Sequence, residues 1–314
     1  MTQIETVLGP IDANDLGFTL SHEHVAITPS VITQHYPWLI DKDAVLQRAK
    51  EELTEAKQGG VDSLIELSTP DLNRDVEAMR AASEASGVNV ICATGIWRDV
   101  PRWMWGKDPD EIADIFVREI EVGIADTGIK AGVIKVANDA EGVTPEGELI
   151  LRAAARTAKR TGTPISTHHW APLEVGRRQA EIFQEEDAPM DRICIGHTAD
   201  TVNADYIEDL LNTGVYISMD RYPGPEDGAE RPNWVARNAT VKELINRGWS
   251  HKLMLGHDYA AFPGSPRDYP TRYLFLSTTA IPALLADGVP QETIDQMMIT
   301  VPRAFLSGLS GESA

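Results

Sequence analysis

The chain has 314 residues, of which 42% are hydrophobic and 24% charged; without a low-complexity run, this describes a folded protein with a large core and excludes a disordered one. Its formal net charge of −20 repels phosphates, which excludes nucleic acid and anionic membranes as partners and favours a small neutral molecule or a cation. The opening MTQIETVLGPIDAND has neither a basic start nor an apolar stretch, and no long apolar run follows it, so a cytoplasmic protein is expected.

In chain order, short β-rich runs alternate with amphipathic stretches, without a linker between them. The strands are expected at 18–25 (FTLSHEHV), 61–68 (VDSLIELS), 88–96 (VNVICATGI), 131–137 (AGVIKVA), 164–169 (PISTHH), 192–198 (RICIGHT), 215–221 (VYISMDR) and 252–258 (KLMLGHD). Between the third and fourth, Ile112, Ile115, Phe116 and Ile120 follow helical spacing after an Asp cap, and a helix near 239–247 precedes the last strand. Eight strands each followed by a helix predict a single α/β domain over residues 1–314, a (β/α)8 TIM barrel whose active site lies at the C-terminal ends of the strands. A doubly wound sheet is the alternative, but it needs a Gly-rich nucleotide-binding turn that no strand end offers.

The first strand carries two histidines one residue apart, and in extended backbone His22 and His24 aim at one spot while Glu23 points into the barrel wall. Six of the eight histidines, His22, His24, His168, His169, His197 and His257, fall near strand ends, joined by Lys135 and Asp258. One such residue alone reads as a hydrogen-bonded core histidine or a turn cap. Five strands contributing to one rim instead supply the nitrogen and oxygen ligands that a divalent metal requires. Cys92 and Cys194 sit inside apolar runs and read as buried free thiols. A G-x-S-x-G nucleophile is absent.

In this order and spacing, SHEHV, GVIKVA, STHH, CIGHTADT and GHDY resemble the phosphotriesterase branch of the amidohydrolase superfamily, most nearly the phosphotriesterase-like lactonases, over nearly the whole chain. The resemblance implies two divalent metals per chain, zinc first with Co, Mn or Fe as alternatives. One is held by His22, His24 and Asp258 and the other by His168 and His197, with carboxylated Lys135 and a hydroxide between them. The family register selects His168 over His169, which then bonds behind the strand or lines the neighbouring loop. His257 reads as structural. Asp258 is expected to accept the proton of the attacking hydroxide, and Asp200 matches the family's supporting carboxylate.

Arg221 and Tyr222 stand after Asp220 where phosphotriesterases proper carry a histidine, and this pair resembles the lactonases that open N-acyl-homoserine and other lactones. Arg221 is therefore expected both in catalysis and, with Trp97 and Tyr222, against substrate. Trp103, Trp105, Trp170, Trp234, Tyr259 and Phe262 also follow strands and are candidates for an apolar mouth. The expected function is a lactonase with side phosphotriesterase activity, and the alternative a phosphotriesterase (aryldialkylphosphatase) or another ester or amide hydrolase. Behind these stand a mononuclear amidohydrolase such as a deaminase and a barrel that binds without turnover. The resemblance also implies a homodimer.

Overall fold

The computed structural model describes residues 2–25, 35–226, 231–261 and 271–309. Eight parallel strands form one sheet in sequential order: β3 (Thr19–Glu23), β4 (Ser63–Glu66), β5 (Asn89–Ile96), β6 (Val133–Ala137), β7 (Ile165–His168), β8 (Ile193–Gly196), β9 (Tyr216–Met219) and β10 (Leu253–Leu255). Helices α1 (Lys42–Gln58), α2 (Val76–Ser86), α3 (Pro109–Glu121), α4 (Pro145–Thr161), α5 (Gly176–Glu185), α6 (Ala204–Asn212) and α7 (Trp234–Asn246) return the chain between consecutive strands, and α8 (Ile281–Ala286), α9 (Gln291–Asp295) and α10 (Val301–Ser307) follow the last. This is the expected TIM-barrel arrangement of a single α/β domain. Among the described residues, no helix is long and apolar enough to cross a membrane.

The barrel is drawn shut through backbone beyond β10. Asp258 N donates to His22 O at 2.8 Å, His24 N to Tyr259 O at 2.8 Å and Ala261 N to His24 O at 3.3 Å. Gly256 permits the approach, because a Cβ there would lie 2.9 Å from His22 N. Glu23 reinforces this seam: one carboxylate oxygen accepts from His257 N and Nδ1, both at 2.8 Å, and the other from Tyr259 N at 3.1 Å. The residue between the two histidines is thus a clasp in the barrel wall, as strand alternation indicated.

Two features depart from the sequence reading. A hairpin, β1 (Gln3–Thr6) with β2 (Gly9–Asp12), precedes the barrel. Its Ile4, with Leu16 and Phe305, packs on inward residues Ile65, Ile91, Val133 and Met254 and floors the barrel core. The hairpin's strands have only four residues each, too few for alternation to declare itself. The barrel strands also end earlier than expected, so that His197, Arg221 and Asp258 lie beyond the ladders with positive φ of 63°, 65° and 53°. Apolar runs do not reveal where a backbone turns left-handed. Within α3, Asp108 forms a capping box with Glu111, and Ile112 and Phe116 are buried, whereas Ile115 faces solvent. Cys92 and Cys194 are buried free thiols, and burial raises Cys92 to about 12.

Candidate metal centre

At the C-terminal end of the barrel, β3 brings His22 and His24, β6 brings Lys135, β7 brings His168, and the turns after β8 and β10 bring His197 and Asp258; all six are buried. His24 Nε2 lies 3.1 Å from Asp258 Oδ1, His22 Nε2 lies 3.6 Å from the same oxygen, and His197 Nε2 lies 3.9 Å from Asp258 Oδ2. Lys135 Nζ lies 3.2 Å from His22 Nε2. The His22 and His197 rings stack at 4.5 Å, and the edge of His168 meets His197 at 4.4 Å. Gly95 makes room beside Lys135, since its φ of +113° and the collision a Cβ would make with the Lys135 carbonyl exclude larger residues.

Asp220, at the end of β9, orients two of the rings. Its oxygens meet His22 Nδ1 at 2.9 Å and His197 Nδ1 at 2.8 Å. Burial alone would raise this carboxyl, but the His197 and His22 imidazoles outweigh it and hold Asp220 well below the usual carboxylate range. An ionised carboxylate only accepts, so both Nδ1 atoms carry hydrogen and both Nε2 lone pairs turn inward. Ser218 Oγ donates to Asp220 at 2.9 Å and stands 2.7 Å from Ser21 Oγ. His24 is oriented in the same way: its Nδ1 lies 2.9 Å from Ser68 Oγ, which donates to Glu66 at 2.6 Å.

This donor set suits a divalent metal. Burial lowers His22 to about 4 and His168 to about 3, and holds His197 well below its ordinary value, so these imidazoles are neutral with lone pairs to share. His22, His24 and Asp258 present donor atoms within 4.8 Å of one another. His22, His197 and Asp220 do so as well, but there the carboxylate is already committed to the two Nδ1 atoms. His168 Nε2 is buried without a hydrogen-bond partner; Asp139 Oδ2 stands 3.6 Å away, beyond bonding reach. Burial also lowers the Lys135 ammonium to about 8.

The family model of the phosphotriesterase family matches residues 2–306. The chain belongs to the phosphotriesterase family. It is a metal-dependent hydrolase of that family. A phosphotriesterase homology protein of Mycobacterium tuberculosis is 38% identical, over 99% of both chains. An aryldialkylphosphatase of Saccharolobus solfataricus is 35% identical, over 95% of this chain and 97% of its own. The solved phosphotriesterase structure from Mycobacterium tuberculosis superposes with a TM-score of 0.90 at 37% identity, covering 97% of this chain and 98% of that one. The relatives and the structure named here carry phosphotriesterase or aryldialkylphosphatase names, not specifically lactonase ones.

Around this phosphotriesterase-family centre, Arg221 joins Asp258 to Asp200: Nε donates to Asp258 Oδ2 at 3.0 Å and Nη1 to Asp200 Oδ2 at 2.6 Å. Burial disfavours its charge, but Asp258, Asp200 and Asp220 outweigh that and raise the guanidinium above its ordinary value. Asp200 is held from behind by wholly buried Arg237, whose Nη2 donates at 2.8 Å and whose Nη1 donates to Asp220 O at 3.0 Å. Trp97 is half-buried with Nε1 3.5 Å from His168 Nδ1.

Tyr222 is placed differently from the expectation. It is fully buried and its hydroxyl donates to Asn238 Oδ1 at 2.9 Å, so in this conformation it offers no surface to a solute. The left-handed turn at Arg221 sends the next side chain into the core. Tyr259 likewise leaves the mouth, its ring buried and its hydroxyl 3.1 Å from Glu52. Trp103 and Trp105 are exposed, Trp234 packs on Phe275, and Phe262 lies outside the described residues. His169 bonds Gly196 O and the Tyr206 hydroxyl, behind the strand. His257 accepts from Leu276 N in addition to its bond with Glu23.

Asp220, Ser68, Glu66 and Arg237 are the site-supporting residues that sequence reasoning missed. Glu66 and Asp220 had a local signal, a carboxylate at the end of an apolar strand; Ser68 and Arg237 had none.

Proposed function

We propose that this hydrolase opens lactones, N-acyl-homoserine lactones among them, with slower side activity on phosphotriesters. In this reading two divalent metals, zinc first, are held by His22, His24 and Asp258 and by His168 and His197, with Lys135 between them as a carbamate. When bound, such metals supply a nucleophile at neutral pH and a Lewis acid for the carbonyl or phosphoryl oxygen. The Lys135 amine, with its ammonium lowered to about 8, adds to CO₂ and loses a proton to give the carbamate anion, whereas an ammonium would repel both cations. Asp258 takes the proton of the attacking nucleophile. Asp220 and Ser68 keep the rings aimed.

The observation that supports lactones over phosphotriesters is Arg221, a permanent cation 3.0 Å from Asp258, with no partner for its Nη2 among the described residues. A lactone departs as an alkoxide that needs positive charge or a proton, whereas an aryl phosphotriester departs as a phenoxide stabilised by its own ring. Phosphotriester hydrolysis is the second reading, favoured by the relative named aryldialkylphosphatase.

A panel of lactones assayed beside an aryl phosphotriester tests this reading. The best lactone is expected to exceed the phosphotriester at least roughly tenfold in kcat/KM, about 1.4 kcal/mol of differential transition-state binding. A phosphotriester advantage of that size overturns the preference. We further propose that the protein acts in the cytoplasm as a homodimer.

A further inference from the structure

The loop after β5 is held to its neighbours by a carboxylate that plays no part in the metal centre. Asp71, in the turn after β4, accepts from Trp97 N at 3.0 Å and Thr69 Oγ1 at 2.5 Å through Oδ1, and from Arg98 N at 2.8 Å and Asp99 N at 3.0 Å through Oδ2. Three consecutive backbone amides thus converge on one side chain. Arg98 continues the contact by pairing with Asp139 and Glu141 after β6, and Asp139 stands beside His168. Three loops are thereby tied into a strap on the His168 side of the mouth.

The side chain this strap fixes is Trp97. Its ring meets His168 edge-on with centroids 5.8 Å apart. Trp97 also lines a cavity of about 170 Å³ with Val100, Trp105, Ala137 and Ile150. The indole therefore touches His168 and also borders this cavity.

We propose that Asp71 is a positioning residue for substrate selection: it holds Trp97 upright against His168, and releasing it lets the indole tilt into the cavity and widens the mouth. The kinetic consequence rests on the hydrolase reading of the site; the position of the indole does not.

Protein labelled with 5-fluorotryptophan tests the placement by ¹⁹F NMR without substrate, the Trp97 resonance being identified by its loss in Trp97→Phe. Asp71→Asn puts an amide where backbone N–H groups donate, and is expected to shift or broaden that resonance while those of the tryptophans other than Trp105, which lines the same cavity, hold. Asp71→Glu, which keeps the charge but moves the oxygens, is the second variant should Asp71→Asn fail to fold, and is expected to give a smaller shift. In kinetics, Asp71→Asn is expected to raise KM for a short-chain lactone about tenfold with kcat and metal content little changed, shifting selectivity toward longer chains. In a Trp97→Phe background the same change should add little further. An unmoved Trp97 resonance in whichever variant folds, or independent addition of the two substitutions, overturns the proposal. Wild-type protein that turns over no lactone instead overturns the substrate reading, and the spectrum still decides the role of Asp71.

Discussion

Asp220 Oδ2 accepts from His22 Nδ1 at 2.9 Å, and the other oxygen of the same carboxylate accepts from His197 Nδ1 at 2.8 Å. One side chain therefore sets the tautomer of two imidazoles from different strands. Asp220→Asn offers one carbonyl where two acceptors are needed and frees one ring to turn. Metal affinity is expected to fall about 10- to 100-fold, measured by competition with a chelator, while either histidine changed to alanine should abolish one metal equivalent. An Asp220→Asn protein with unaltered affinity would show that packing alone aims the rings.

Removing the Lys135 amine takes away the anion proposed between the metals. Lys135→Ala is expected to lose metal and activity, and added short carboxylic acids to restore part of both, because a small carboxylate fits the vacated place. Full activity of Lys135→Ala in chelator-treated buffer rules the bridge out.

Arg221→Gln keeps a polar side chain but removes the permanent charge beside Asp258. Lactone turnover is expected to drop about 100-fold, comparable to losing one donor to a developing oxyanion, with a smaller loss for an aryl phosphotriester. Equal losses on both substrates would take Arg221 out of the lactone preference.

His169 follows the proposed ligand His168 but turns behind the strand. Burial lowers it to about 4, so the unfolded chain binds its proton below about 6.5 while the fold remains unprotonated until about 4. Between those values the unfolded state holds more protons, and stability falls as pH falls. The full contribution is present above 6.5 and lost toward 4, on the order of 3 kcal/mol. Thermal melts of metal-free protein across this window should show a decline that is shallower in His169→Gln.

The barrel and its polar rim were legible in the sequence because strands and candidate ligand residues both leave local marks: Lys135 interrupts an apolar run, and two histidines alternate around Glu23. What aims those residues was not legible. Asp220 lies 198 positions from His22, and Ser68 lies 44 from His24. Such pairings exist only once the barrel brings its strand ends together. Tyr222 shows the opposite error, a neighbour in sequence assigned to the same surface until left-handed backbone at Arg221 turned it inward. The placement of His257 came out as expected although alternation does not strictly apply there, because β10 ends at Leu255.

Glu23 bears on folding rather than chemistry. Glu23→Gln retains two acceptor contacts and opposes one donor, so a loss of about 1–3 kcal/mol in chemical denaturation is expected, with metal content nearly unchanged. A variant that empties the site while His22→Ala keeps two metals would invert the assignment of the strand's two faces.

The backbone ladder joining His22 and His24 to residues 258–261 gives that clasp a wider meaning. The seam that turns an open sheet into a cylinder carries His22, His24 and Asp258, so a cation held by these three staples the first strand to the last. Amide hydrogens of Asp258 and His24 should then exchange slowly in loaded protein and much faster after chelation, while those in the middle of β6 and β7 hardly change. On the proposed ligand set, loading is expected to tighten a seam that backbone bonds already close.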